Sequence, residues 1–212
     1  MTSQSKFISN KQLSLLAFVG FNIALMAFRM LVTGTIGYGF LLWNLILSAV
    51  PWLVSSWLWT SYKSWFGFTL LSIIWLLFLP NAPYILTDFL HFRNLKSSMP
   101  AWFDLLLLAS YSINGMLFAL VSMAQMQRSF KIRFGEKASV ALIAASAMLS
   151  GFGIFLGRYE RYNSWDILSN PFGLVADSLI LLTKLHTIGF TIGYGLLLLL
   201  VYFFFRTNSK TL

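Results

Sequence analysis

Six stretches of the chain are long and apolar enough, or nearly so, to cross a bilayer as helices, which takes about 20 residues each. They are residues 13–32, 37–59, 66–84, 102–124, 138–156 and 188–205. Together they occupy more than half of the 212 residues, so too little chain remains for a separate soluble domain. The sequence therefore predicts an all-α fold, a polytopic membrane helical bundle of about six transmembrane helices, with residues 1–212 as a single integral membrane domain.

The composition supports this class and excludes two others. Hydrophobic residues make up 58% of the chain and charged residues 10%, whereas soluble domains contain about 25% charged residues. A disordered chain would contain far fewer apolar residues. Since the chain has no cysteine, disulfides, thiolate metal sites and a cysteine nucleophile are also excluded.

The formal net charge is +9, and the charged residues divide unequally between the two sides of a six-span bundle. Nine basic residues and one acid fall in the termini and in the second and fourth loops: Lys6, Lys11, Lys63, Arg128, Lys131, Arg133, Lys137, Arg206, Lys210 and Glu136. Six basic residues and five acids fall on the other side: Arg29, Arg93, Lys96, Arg158, Arg161, Lys184, Asp88, Asp104, Glu160, Asp166 and Asp177. Because cytoplasmic loops are enriched in lysine and arginine, we expect both termini in the cytoplasm. We expect no nucleic-acid binding, since no continuous basic face forms.

The third stretch is unusually short before its first proline. Residues 66–79 would rise only about 21 Å as a helix, against about 30 Å of hydrocarbon. Either the helix continues, kinked, through Pro80 and Pro83, or the backbone of residues 81–84 is irregular. Irregular backbone at membrane depth must be covered by protein or face water.

Residues 172–186 have two interpretations. Asn170 and Pro171 are typical of a helix start, with a capping side chain followed by proline at the first helical position. The segment then forms an amphipathic interfacial helix. Alternatively it is a seventh span, which would bring Asp177 and Lys184 into the bilayer at high cost.

Polar residues concentrate in two segments on the outward side, residues 80–92 and 157–171. Each directly follows an apolar span, and both lie near the same interface, so we expect that they can meet. Within them the candidate substrate- or anion-binding residues are Asn81, Tyr84, Arg158, Arg161, Asn163 and Trp165. The candidate catalytic residues are Asp88, His91, Glu160 and Asp166.

In the first segment Tyr84, Asp88 and His91 are spaced i, i+4, i+7 and would share one face of an α-helix. Asp88 and His91 could then ligate a metal or exchange a proton. The other interpretation is that Asp88 orients the histidine or pairs with Arg93. Two residues alone are a weak metal pattern, because a metal site needs three or more protein ligands.

In the second segment Arg158 and Arg161 lie about one helical turn apart and could clamp a phosphate or carboxylate. Glu160 and Asp166 could serve as acid and base or as further metal ligands. The alternative is that the arginines are neutralised internally by Glu160, Asp166 or Asp88, in a network that fixes packing only.

Other polar and small residues lie within the apolar stretches. Arg29 either marks a functional site or extends toward the interface, and Asn44 and Asn114 either bond between helices or line a cavity. Two pairs of glycines spaced four apart, Gly153 with Gly157 and Gly189 with Gly193, predict close helix packing.

Three stretches resemble the bacterial membrane proteins grouped as domain of unknown function 1361. They are residues 42–47 with Pro51, residues 79–84 with Thr87-Asp88, and Gly157-Arg158 with residues 163–166 and Asn170-Pro171. The resemblance extends from about the first span to the last. It implies a multi-pass protein of the bacterial cytoplasmic (inner) membrane, and no reaction, because the family has none assigned.

The sequence thus leaves three functional hypotheses open. The first is an outward-facing polar site that binds a lipid headgroup or a small anionic envelope component. The second is a transporter or channel component with a path lined by Asn22, Asn44, Asn114 or Gln125. The third is an assembly subunit without a substrate, in contact with another membrane protein or its own copies. Membrane lipids are the expected partners, no cofactor can be assigned, and the absence of known catalytic motifs leaves an enzymatic activity undecided.

Overall fold

The computed structural model describes residues 3–61, 64–92 and 99–208, with the side chains of residues 3–11, 59–61, 91, 168 and 208 left out. This part of the chain is helical, with no strand. The helices are α1 (Ser3–Thr33), α2 (Phe40–Ser61), α3 (Trp65–Phe78), α4 (Asn81–Tyr84), a 3-10 helix (Ile85–His91), α5 (Ala101–Phe155), a π-helical turn (Leu156–Glu160), α6 (Asp166–Ser169), α7 (Pro171–Leu181) and α8 (Leu185–Asn208).

Five helical ranges within the described residues are long and apolar enough to cross a membrane. They are Gln12–Thr33, Phe40–Leu58, Trp65–Leu90, Ala101–Glu160 and Leu185–Thr207. The all-α membrane class predicted from the sequence is confirmed. The protein is an integral, multi-pass membrane protein.

Gly135 divides the longest of these ranges. A straight helix of 60 residues would be about 90 Å long, three times the hydrocarbon core. Gly135 has φ +83° and ψ 173°, which is not helical and which glycine adopts readily. Residues on both sides of Gly135 contact the same short segment. Gly115 lies against Ala82, and Gly153 lies against Pro80. The chain therefore reverses at Gly135 into two arms, residues 101–134 and 136–155, which contain the fourth and fifth predicted stretches.

The helix of the third stretch continues through its prolines, as the first of the two alternatives predicted. Leu79 and Pro80 keep right-handed helical angles between α3 and α4. Proline is tolerated in the first turn of a helix, where its missing N–H would have no partner. The carbonyl of Pro80 accepts from the Tyr84 N–H at 3.0 Å, so the backbone stays helical from α3 into α4 and residues 81–84 are not irregular.

The structure bears out the predicted start of the helix after residue 170. The Asn170 side chain accepts from the Gly173 N–H at 3.2 Å, with Pro171 in the first turn. Helix α7 has 11 residues and rises about 16 Å, which is too short for a seventh span. Phe172 is 88% exposed and Leu179 64% exposed, as expected of a helix whose apolar side meets lipid.

Glycines allow the second arm of α5 to pack closely against neighbouring helices. A Cβ on Gly151 would come 2.4 Å from the Thr191 carbonyl oxygen of α8, and one on Gly153 would come 2.5 Å from Pro80 Cγ. The prediction for Gly189 and Gly193 was wrong, since a Cβ on either would meet nothing within 4 Å. They lie on the exposed side of α8, and Gly195 makes the close approach instead.

We predict that Gly151→Ala lowers the free energy of unfolding in detergent by about 1–3 kcal/mol, because its methyl group would meet backbone atoms that cannot move aside. Gly189→Ala is the matched control, in the neighbouring helix α8 with open space around it. It should leave stability unchanged or raise it slightly, since alanine is the better helix former. Equal melting temperatures for the two variants would contradict this packing.

Candidate functional site

The two polar segments meet at the end of the bundle opposite Gly135. Arg158 Nη2 donates to Asp88 Oδ1 at 2.5 Å, joining the π-helical turn to the 3-10 helix. The Asp88 side chain is 1% exposed and that of Arg158 is 11% exposed. At this burial each charge is stabilised chiefly by the other, since removing an ion from water costs several kcal/mol.

Arg158 makes further contacts with the same segment. Its Nε and Nη2 donate to Thr87 Oγ1 at 2.8 and 2.6 Å, and its guanidinium carbon lies 4.6 Å from the centre of the Tyr84 ring. Thr87 Oγ1 in turn donates to the Tyr84 carbonyl at 2.6 Å. The arginine is thus fixed on three sides, by a carboxylate, a hydroxyl and an aromatic face.

Asn44 joins α2 to this pair. Its Nδ2 donates to Asp88 Oδ2 at 2.8 Å, so both carboxylate oxygens of Asp88 accept hydrogen bonds. Of the two interpretations of Asn44, the bond between helices is observed, and Asn44 also lines a cavity. Asp88 therefore connects three separate parts of the chain.

The 3-10 geometry of residues 85–91 explains why Thr87 belongs to the site. In an α-helix Tyr84 and Asp88 would share a face, but with three residues per turn the residue below Tyr84 is Thr87. The α-helical spacing of Tyr84, Asp88 and His91 therefore did not indicate Thr87 as a site residue. The one sequence signal for Thr87 is its place beside Asp88 in the stretch that resembles the family of unknown function.

Small residues bring the π-helical turn close to the 3-10 segment. A Cβ on Gly157 would come 3.1 Å from the Tyr84 ring, so glycine lets Arg158 reach Thr87 and Asp88. The close packing predicted for Gly153 and Gly157 is confirmed. After the turn Arg161 adopts the left-handed conformation, with φ 61°, and the chain changes direction there.

A second set of hydrogen bonds joins the same two segments. Asn81 Nδ2 donates to Ser164 Oγ at 2.8 Å and to the Phe78 carbonyl at 3.1 Å. Ser164 Oγ donates to the Leu77 carbonyl at 3.0 Å. These bonds hold the loop after the π-helical turn against the end of α3.

A cavity of about 310 Å³ lies between these segments. Its polar lining residues are Asn44, Asn81, Tyr84, Tyr162, Asn163 and Ser164. Its apolar lining residues are Trp43, Leu47, Leu76, Leu77, Pro80, Leu149, Phe152, Leu156, Ile167 and Leu174, with Gly153 and Gly157. The described lining contains no charged side chain. Asp88 and Arg158 do not line the cavity, but they contact Asn44 and Tyr84, which do.

The structure does not bring the remaining predicted residues together at one point. Asp166 accepts from the Asn163 N–H at 2.6 Å and from Ser169 Oγ at 3.2 Å, and so stabilises the start of α6. Glu160 and Arg161 are exposed and line no part of the cavity. Trp165 lies edge-on to Trp43, with ring centres 6.3 Å apart.

Tyr162 connects the cavity to α7. Its hydroxyl donates to Asp177 Oδ2 at 2.6 Å, and the adjacent carboxylate raises the pKa of Tyr162 above its ordinary value. The phenol therefore stays protonated and keeps α7 attached to the loop over the cavity.

The metal hypothesis for Asp88 and His91 stays a prediction. The His91 side chain lies outside the described side chains. No group of three histidine, aspartate or glutamate side chains that could hold a metal occurs in residues 3–61, 64–92 and 99–208 as far as they are described. To ligate a metal, Asp88 would have to lose the hydrogen bonds that it accepts from Arg158 and Asn44.

Arg29 belongs to a second buried ion pair. Its Nε donates to Asp104 Oδ1 at 2.8 Å, and both side chains are 3% exposed. Its guanidinium carbon lies 4.5 Å from the centre of the Tyr38 ring. Extension toward the interface was therefore the wrong interpretation, because the arginine faces the bundle, where Asp104 neutralises it.

The comparison with protein families identifies one match over most of the chain. The model of a family described as protein of unknown function (DUF1361) matches residues 43–201. The chain belongs to this family. The matched range contains Asn44, Asp88 and Arg158, so the whole ion-pair cluster lies within the family's domain. Neither a curated protein nor a solved structure matches the chain.

Proposed function

We propose that the cavity binds the headgroup region of a membrane lipid or lipid-linked molecule. The observation that supports this is the lining, which combines amides and hydroxyls around Asn81, Asn163 and Ser164 with a wall of leucine and phenylalanine. Binding sites for small molecules commonly have this form, apolar with a few placed polar groups. An amphiphile matches both parts.

The cavity lining includes a residue that is also exposed on the side of the bundle. Leu149 lines it and is also 52% exposed on the outside of the second arm of α5. In a membrane that exposed surface meets acyl chains. We propose that a lipid enters from this side, with its tail along Leu149 and its head toward Asn163.

The charge balance favours a neutral or hydroxyl-rich headgroup over the anionic component considered from the sequence. Arg158, one of the two arginines predicted to clamp an anion, already pairs with Asp88. Arg161, the second, does not line the cavity. We propose binding without assigning a reaction, because Asp88 is held as a paired carboxylate and Asp166 stabilises a turn.

We further propose six crossings, both termini in the cytoplasm of a bacterium, and the cavity on the outer side. The described charges support this orientation. At the Gly135 end lie five basic residues and one acid: Arg128, Lys131, Arg133, Lys137, Arg206 and Glu136. At the cavity end lie four basic residues and five acids: Arg29, Arg158, Arg161, Lys184, Asp88, Asp104, Glu160, Asp166 and Asp177. The cytoplasmic side is the more basic one in multi-pass proteins.

A transporter is the second candidate, and one observation favours it. Asn22 and Asn114 are fully buried, and neither amide has a hydrogen-bond partner among the described residues. Buried polar groups are usually satisfied by protein or water. Water that reached both amides would form part of a polar path through the bundle.

The lipid proposal predicts photo-crosslinking to the cavity wall. In vesicles containing phosphatidylethanolamine with a diazirine in its acyl chain, we expect adducts on Phe152 and Leu156. Ile167→Trp, which fills the cavity, and Asn163→Ala, which removes a polar group with no described partner, should each reduce these adducts several-fold. Mass spectrometry of the digested protein measures them.

Ile192→Trp is the matched control, since Ile192 is 48% exposed on α8 and does not line the cavity. It should leave the adducts on Phe152 unchanged. Adducts confined to outward-facing residues of α8, or equal losses for Ile167→Trp and Ile192→Trp, would rule out a lipid in the cavity.

The orientation can be tested with single cysteines, because the native chain has none. On intact cells an impermeant maleimide should label Asn163→Cys and spare Lys137→Cys until the membrane is permeabilised. The reverse pattern would invert the orientation. Labelling of Asn114→Cys from outside would favour the transporter, whereas protection of that cysteine would favour a site confined to the cavity.

A further inference from the structure

A second cavity lies at the opposite end of the bundle, near Gly135. It has a volume of about 230 Å³ and lies between the first arm of α5 and the last turns of α8. Its lining includes Gln127, Arg128 and Lys131 of α5 with Tyr202 and Arg206 of α8. This cavity is separate from the proposed lipid site, and none of its lining residues belongs to that site.

Positive charge exceeds negative charge around this cavity. Glu136 accepts from Lys131 at 2.5 Å and from Arg206 at 3.0 Å. The Arg128 side chain makes no hydrogen bond or ion pair in the part of the chain that the structure describes. Three cations therefore surround the cavity with one carboxylate to balance them. An anion placed there would reduce the repulsion among them.

A buried donor lines the same cavity. Gln127 is 4% exposed, and its Oε1 accepts from the Tyr202 hydroxyl at 2.5 Å. Its Nε2 is buried without a hydrogen-bond partner among the described residues. A buried donor left without an acceptor is unfavourable, so an oxygen-rich ligand would satisfy it.

We propose that this cavity binds a phosphate group, supplied by an anionic phospholipid headgroup or by free phosphate. Guanidinium groups match phosphate oxygens in geometry and charge, and Gln127, which lines the cavity, adds a neutral donor in its Nε2. Basic pockets between transmembrane helices commonly bind anionic headgroups. Phe204 of the same turn of α8 is 73% exposed, which places apolar surface for acyl chains next to the charged groups.

The test is a thermal-melting titration of the full chain in a neutral detergent. The probes are phosphatidylglycerol, phosphatidylcholine and inorganic phosphate. We expect phosphatidylglycerol to raise the melting temperature at concentrations at least fivefold below phosphatidylcholine. Arg128→Gln should increase the required concentration about tenfold. Lys137→Gln, which removes the same charge outside the cavity, should leave it unchanged.

The outcomes separate the two sources of phosphate. If phosphatidylglycerol acts and inorganic phosphate does not, the source is the lipid. If inorganic phosphate stabilises the protein, Arg128→Gln abolishes the effect and phosphatidylglycerol is no better than phosphatidylcholine, the site is supported with a soluble ligand. Equal effects of Arg128→Gln and Lys137→Gln, or no stabilisation by either phosphate source, would overturn the proposal.

Discussion

The ion pair between Asp88 and Arg158 is the interaction on which the cavity end of the bundle depends. In a chain with so few charges, a buried carboxylate is tolerable only beside its counter-charge. Here the pair joins the 3-10 helix to the π-helical turn, and Asn44 adds α2. Since these charges cancel each other and neither side chain lines the cavity, the described lining is polar without being charged. An uncharged polar lining matches the proposed lipid headgroup better than a free anion.

Backbone geometry makes that pair possible. Gly153 and Gly157 let the second arm of α5 approach Pro80 and Tyr84, and the prolines start a short helix that tightens into 3-10 geometry. Gly135 reverses α5, so the basic residues near it lie at the far end from the pair. The two cavities therefore differ in kind: one has a neutral lining at the carboxylate-rich end, and the other has a cationic lining at the basic end.

The sequence predicted well what depends on composition and local pattern. Hydropathy gave the membrane class and located the long helices, and Asn170 with Pro171 predicted the start of α7. The sequence could not show which polar side chains contact each other. Arg158 and Arg161 were equivalent by spacing, and only the π-helical turn and the left-handed residue after it separate them. Thr87 was missed because a 3-10 helix shifts which residue lies below Tyr84. Glycine spacing predicted close helix packing at Gly189 and Gly193, but in the structure Gly151 and Gly195 make the close contacts between α5 and α8.

A double-mutant cycle on Asp88 and Arg158 tests the central claim most directly. The free energy of unfolding is measured in detergent for Asp88→Asn, Arg158→Gln and the double variant. Each single change should destabilise the protein by about 3–5 kcal/mol by leaving a buried charge unpaired. The double variant should be more stable than additivity requires by about 1–3 kcal/mol. The same cycle on the exposed pair Lys131–Glu136, 59% and 46% exposed, should give under about 1 kcal/mol. Additive effects at Asp88 and Arg158 would contradict the account.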